Sequence, residues 1–207
     1  MIEIIERSDC PFCWKLRLAL VELQQPFKSV DISLGEKHPR VVAASPKATV
    51  PVLFDGDIVV WESTAAIEYA DEIAGGEVSL FEGSASERAR IRLLMSYSDT
   101  VVGPTLFGIA REKRSKPPEQ WDVATIEEAK NNWRERQAWL DQQLGESEYF
   151  GASYSAADCA LAARAGVAEY YEAAIADEFP RLQAWFERVK SRQSWQEAYP
   201  HTFYKAY

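Results

Sequence analysis

The chain has 207 residues, 47% apolar and 27% charged, with a formal net charge of −9, which fits a packed protein of one large domain or two small ones and excludes a disordered chain. The acid excess (7 basic and 13 acidic residues over 1–78, 16 and 19 over 79–207) argues against non-specific binding to nucleic acid or anionic lipid, though not against a small anionic ligand. No apolar run approaches the roughly 18 residues of a membrane span, and Met1-Ile2-Glu3 does not open a signal peptide, so a cytoplasmic location is expected.

Ile2–Ile5 reads as a first strand. Directly after it comes Cys10-Pro11-Phe12-Cys13, followed by an amphipathic run with Leu16, Leu20 and Leu23 at helical spacing and an end at Gln24-Gln25-Pro26. Strand, tight loop and helix place Cys10 at a helix mouth, where free N–H groups and the helix dipole favour a thiolate. A C-x-x-C pair in that setting points to redox chemistry before metal binding. Cys10 is the candidate nucleophile. Cys13, one helical turn on, either resolves a mixed disulfide at Cys10 or packs inward. Lys15 and Arg17 add positive charge nearby or face solvent. Cys159 is expected in the core, and His38 and His201 stand at no ligand spacing from a cysteine pair, so no metal site is expected.

Val30 and Ile32 alternate with polar neighbours and give a second strand, and the stretch from Gly35 to Pro46 reads as irregular helix. Val50-Pro51-Val52-Leu53-Phe54 is a strand opened by proline, Asp55-Gly56 a hairpin turn, and Ile58-Val59-Val60 the returning strand. The crossover helix makes the first two strands parallel, and the hairpin makes the last two antiparallel. The Val50–Pro51 bond is open to cis or trans; in cis it would present the Val50 backbone for strand-like pairing with a peptide. Ser63 caps the next helix, which stops at Gly75-Gly76. Glu62 and Ser63 suit the ammonium and carboxylate of an amino-acid end, or form an ordinary cap.

Residues 77–86 read as a polar connection, and beyond them the pattern is helical. A long helix from Arg88 to about Arg114 should kink at Gly103-Pro104. Lys116-Pro117-Pro118 breaks the chain. Ile126, Ala129, Trp133, Leu140 and Leu144 mark another helix, with Gln137 interrupting the stripe. Ser155 to Asp158 forms a capping box, flanked by Tyr154 and Cys159 at hydrophobic-staple positions, ahead of a helix buried on nearly all sides. Leu182, Trp185, Phe186 and Val189 give a last amphipathic stripe after Pro180. The reading is thus an α/β thioredoxin-like domain over 1–76, a connection over 77–86 and an all-α domain over 87–207.

Taken together, Cys10-Pro11-Phe12-Cys13, Lys37, Val50-Pro51, Glu62-Ser63 and the box from Ser155 to Asp158 resemble the cytosolic glutathione transferase superfamily, in particular its cysteine-type members: omega-like transferases, dehydroascorbate reductases and two-domain glutaredoxins. The resemblance implies the glutathione transferase fold, glutathione as substrate and Cys10 as the thiol that forms a mixed disulfide with it. It further implies Phe12 near the thiol, Lys37 at the glycine carboxylate, Val50 pairing by its backbone with the cysteinyl unit, Glu62 and Ser63 at the γ-glutamyl end, and a cis bond before Pro51. Many omega-like members lack a second cysteine, so Cys13 leaves monothiol and dithiol routes open. Tyr97, Phe107 and Arg111 are candidates to line a second-substrate pocket or to belong to the core or an exposed helix face. The expected activity is thiol transfer or reduction acting on a glutathionylated thiol or a small electrophile, in a possible homodimer. The alternatives are a broad-range conjugating transferase, or a non-catalytic partner-binding protein resembling the stringent starvation proteins around Trp61-Glu62-Ser63.

Overall fold

The computed structural model describes residues 1–76 and 78–205. They divide into two compact units, one formed by Met1–Phe81 with Gln193–Phe203, the other by Glu82–Arg192 with the end of the chain.

The first unit holds a four-stranded mixed sheet. Its strands are β1 (Ile2–Glu6), β2 (Phe27–Asp31), β3 (Val52–Asp55) and β4 (Ile58–Trp61), with helices α1 (Pro11–Glu22), α2 (Pro39–Ala44) and α3 (Ser63–Ile73) between and after them. The order across the sheet is β2-β1-β3-β4. β1 pairs parallel with β2 and antiparallel with β3, and β3 antiparallel with β4. The Asp55-Gly56 turn is thus a hairpin, with Gly56 at φ 59° supplying the left-handed conformation. Ile5 lies opposite Val52 and Ile4 opposite Leu53; successive residues point to opposite faces, so both faces of the sheet are apolar. Ile5 and Val52 cluster with Ile32 and with Val41 of α2. The second strand ends at Asp31, one residue short of the expected Ile32.

A last helix, α9 (Gln193–Ala198), returns to this unit and packs on α1. Trp14, fully buried, is surrounded by Trp195 (ring centroids 4.7 Å apart), Tyr199 (5.3 Å) and Phe203 (6.3 Å). Nothing in the local pattern of residues 193–203 announced this return.

The second unit is all-helical: α4 (Ala85–Tyr97), α5 (Gly103–Ser115), α6 (Val123–Leu144), α7 (Ala156–Tyr170) and α8 (Pro180–Lys190). α4 begins earlier than the expected Arg88, because Ser84 and Glu87 close a capping box. The expected kink at Gly103-Pro104 takes the form of a π-helical turn over Ser98–Val102 just before it. Pro104 has no N–H to give to the preceding turn, and the helix relaxes into a wider one. Gln137, expected to interrupt the stripe of α6, is buried with it, its amide oxygen accepting from the Ala176 N–H at 2.8 Å.

α7 is buried along nearly its whole length, as its apolar run demands. Asp158, fully buried at its start, accepts four hydrogen bonds: Phe150 N (2.9 Å), Trp185 Nε1 (2.8 Å), Ser155 N (2.9 Å) and Ser155 Oγ (2.7 Å). A carboxylate has about four lone-pair positions, and all are used. Cys159 packs beside it with its Sγ 3.6 Å from Tyr154 Oη, the contact expected of the two staple positions.

Candidate active site

The end of β1, the start of β3 and the end of β4 lie at the same end of the sheet, because β1 runs antiparallel to β3 and β3 to β4. The Cys10 loop follows β1, Val50–Pro51 precedes β3, and Glu62-Ser63 follows β4. Topology therefore gathers segments that the sequence scatters over more than fifty residues. Val52, two residues after Val50, is the register partner of Trp61, directly before Glu62.

Cys10 is the N-cap residue of α1, with Pro11 at the first helical position. Proline suits that position, having no N–H to leave unpaired. The turn is closed by the Cys10 N–H on Arg7 O at 3.1 Å. Both cysteines are buried, Cys13 completely. The Cys10 thiol is lowered to about 6, chiefly because the Cys13 side chain donates a hydrogen bond to it. The charge of Arg7 and the N–H groups of Cys13 and Phe12 act in the same direction, against the cost of burial. Cys13 is pushed well above the ordinary thiol range by burial and by its neighbour's charge. Burial and the bond between them thus drive the two thiols apart, Cys10 towards the anion and Cys13 towards the protonated donor.

Lys15 and Arg17 are both buried and do not face solvent, and the charge that lowers the Cys10 thiol is that of Arg7. Lys15 Nζ donates to Thr64 Oγ1 at 3.1 Å and lies 5.7 Å from the Phe12 ring centre. Arg17 pairs with Glu6 and donates to Ser8 O (2.8 Å) and Ala198 O (3.1 Å). Arg7 is the residue directly after β1, outside α1, so helical spacing from Cys10 does not mark it.

Of the remaining candidates, Phe12, Val50, Glu62 and Ser63 lie on segments gathered at this end of the sheet. Phe12 is half-buried in the first turn of α1. The Val50–Pro51 bond is cis, and Val50 is half-buried. Lys37 is exposed and donates to Ala48 O at 3.0 Å, so it is tied to the segment leading into Val50. Glu62 is exposed and paired with Lys47 at 2.7 Å. Ser63 is buried and is the first residue of α3, with Glu62, not Ser63, in the capping position. Glu62 has φ 71°, a left-handed conformation that non-glycine residues adopt at a cost. In the helical unit, Tyr97 stacks on Trp139 (centroids 4.1 Å apart), Arg111 pairs with Glu112 at 3.5 Å, and Phe107 is largely exposed.

Among the described residues, no cluster of three or more His, Cys, Asp or Glu side chains could hold a metal ion, and no helix is long and apolar enough to cross a membrane.

Comparison with known proteins places both units. The family described as "Glutathione S-transferase, N-terminal domain" matches residues 5–78, and "Glutathione S-transferase, C-terminal domain" matches residues 111–193. The chain is 26% identical over 199 residues to glutathione S-transferase GstB of Escherichia coli, covering 93% of this chain and 94% of that protein. It is also 26% identical over 191 residues to FtsZ-localized protein A of Caulobacter vibrioides, covering 88% and 83% respectively. Among solved structures, the theta class glutathione S-transferase of Xanthomonas axonopodis pv. citri with glutathione bound matches with a TM-score of 0.85 at 25% identity, over 98% of each chain.

Proposed function

The chain belongs to the cytosolic glutathione transferase superfamily, and from that premise we propose that it is a glutathione-dependent thiol transferase of the cysteine type, working through Cys10. The observation that carries this reading is the thiol of Cys10 held at about 6 at the mouth of α1. At neutral pH such a sulfur is largely thiolate, the form that attacks disulfides.

In this reading Cys10 S⁻ attacks the glutathione sulfur of a glutathionylated thiol. A disulfide forms between Cys10 and glutathione, the original S–S bond breaks, and the substrate leaves as a thiolate that takes a proton from water. A second glutathione thiolate then attacks the glutathione sulfur on Cys10. Glutathione disulfide leaves, and Cys10 returns as the thiolate. Cys13 is fully buried and its thiol is held protonated, so it serves as hydrogen-bond donor to the anion and leaves release to glutathione. Glutathione docks along the end of the sheet: its cysteinyl backbone against Val50, its γ-glutamyl end on Glu62 and the N–H groups of Ser63 and Thr64, its glycine carboxylate near Lys37, and Phe12 beside the sulfur.

The test is turnover of a glutathionylated peptide, and of dehydroascorbate, by the wild type and by Cys10→Ser. Loss of turnover by at least a hundredfold in the variant is the expected result. A wild type that only conjugates glutathione to an aryl halide would replace this reading with that of a conjugating transferase. A second reading is favoured by the similarity to FtsZ-localized protein A: a member that works by binding a protein partner. No retention on immobilised glutathione, together with no turnover of either substrate, would favour it.

A further inference from the structure

We propose that Arg7 and Asp9 form a charge pair that positions and tunes the Cys10 thiolate and biases it towards anionic reaction partners, Arg7 supplying the field and Asp9 the tether. The proposal rests on the reading of Cys10 as the reacting sulfur.

The geometry is that of a three-residue clasp. Arg7 touches both cysteines through its main chain: its carbonyl accepts the Cys10 N–H at 3.1 Å, and its own N–H points at Cys13 Sγ at 3.5 Å. Its side chain folds back along the same loop, Nε donating to Asp9 Oδ1 at 2.5 Å. The Arg7 side chain is 20% exposed and that of Asp9 4%. The guanidinium is therefore held over the loop at the residue next to Cys10, yet it keeps an open edge. A fixed, partly exposed cation whose charge bears on Cys10 acts on that sulfur and on whatever approaches it.

The other charges near the motif are committed elsewhere. On α1, Lys15 is bonded to Thr64, and Arg17 is buried in its pair with Glu6 of β1. Asp31 of β2 accepts the Ser8 N–H at 2.8 Å and pairs with His201 at 3.2 Å. Glu6, paired with Arg17, raises Cys13, after burial and the neighbouring Cys10. Arg7 is itself held more firmly protonated, with the charge of Cys10 the largest cause favouring that direction. The reaction partner proposed for Cys10 is a disulfide carrying a glutathione unit, whose two carboxylates and one ammonium give that unit a net charge of about −1 at neutral pH.

The experiment measures alkylation of Cys10 in the full-length protein by neutral iodoacetamide and anionic iodoacetate across pH 4 to 9, followed by mass mapping of the labelled peptide. The variants are Arg7→Met, Arg7→Lys and Asp9→Asn, the last keeping an acceptor for Arg7 Nε while removing the charge. Arg7→Met is expected to raise the pH midpoint by about one unit and to lower the iodoacetate-to-iodoacetamide rate ratio by about threefold or more, an effect that shrinks in 1 M salt. Arg7→Lys restores most of both. Asp9→Asn moves both the opposite way, and it decides the matter if Arg7→Met fails to fold. Unchanged midpoint and ratio in Arg7→Met, or shifts of the same sign in Arg7→Met and Asp9→Asn, would overturn the proposal, since a merely distorted loop moves both variants alike. Alkylation needs no glutathione, so a protein that passes here yet fails to turn over a glutathionylated peptide refutes the proposed function and not the charge pair.

Discussion

Ser8 Oγ lies 3.0 Å from His201 Nδ1, across 193 residues of chain. The same hydroxyl accepts the Thr202 N–H at 3.3 Å, and the other ring nitrogen of His201 reaches Asp31 at 3.2 Å. Asp31 in turn takes the Ser8 N–H. Ser8 stands two residues before Cys10, so the returning C-terminal segment is tied to the loop that carries Cys10. Arg17 adds a further tie, bridging Ser8 O, Glu6 and Ala198 O.

Removing residues 199–207 takes Tyr199 and Phe203 from the Trp14 ring and His201 from Ser8. The expected outcome is a loss of about 2–4 kcal/mol, read by urea unfolding, with a red shift of tryptophan emission as Trp14 meets water. His201→Ala alone should cost about 1 kcal/mol. A truncation that leaves both unfolding midpoint and emission unchanged would show that the segment does not stabilise this unit.

The two cysteines divide the roles of acceptor and donor, and this separates two substitutions at position 13. Cys13→Ala removes the donor that contributes most to the low thiol pKa of Cys10, so the alkylation midpoint should rise by about one unit. Cys13→Ser keeps an O–H donor and should leave the midpoint near that of the wild type. Both variants are expected to keep deglutathionylating activity at pH 8 if, as proposed, release uses a second glutathione. Loss of turnover in both, with Cys10 still alkylated normally, would assign release to Cys13.

The low thiol pKa of Cys10 also makes it a stabilising group with a definite pH window. Its folded value of about 6 lies below the unfolded value of about 8.5. A depressed acid contributes fully above the unfolded value and loses its contribution as pH falls through the folded one. Cys13 stays protonated through that window, its thiol being pushed well up. The stability difference between wild type and Cys10→Ser should therefore grow by about 2–4 kcal/mol from pH 5 to pH 9. Urea unfolding at several pH values checks it; a difference that is flat with pH contradicts the anionic assignment.

Glu62 occupies a left-handed conformation at φ 71° while its carboxylate is spent on an exposed pair with Lys47. Stability alone gives no reason for glutamate there, since glycine relieves the strain and an exposed ion pair is worth little. Glu62→Gly should leave stability unchanged or raise it by about 1 kcal/mol, while glutathione affinity falls about tenfold with the loss of the ammonium partner. Calorimetric titration and thermal unfolding of the same variant supply both numbers. Unchanged affinity would remove Glu62 from the binding site.

The sequence by itself determined most of the elements, though not every end: β2 stops at Asp31, α4 starts at Ala85, Glu62 caps α3, and no local signal marks α9. Apolar period, the Asp55-Gly56 turn, Pro11 and Pro180 at helix starts and the Ser155–Asp158 box are short-range features, set by backbone sterics and by hydrogen bonds between near neighbours. They were enough to place Cys10 at a helix mouth and to indicate the thioredoxin-like and all-helical parts. Only the tertiary structure decided which charges face that sulfur. Lys15 and Arg17 lie closer to Cys13 along a regular helix, yet packing turns them to Thr64 and Glu6, while it is the charge of Arg7, folded back onto Asp9, that bears on the Cys10 thiol. It likewise decided that Gln137 faces inward, because Ala176 offers an N–H from 39 residues away, and that Trp14 is covered by rings from the far end of the chain. The direction of a long polar side chain depends on which partner the fold brings within about 3 Å, and that partner is seldom a neighbour in sequence.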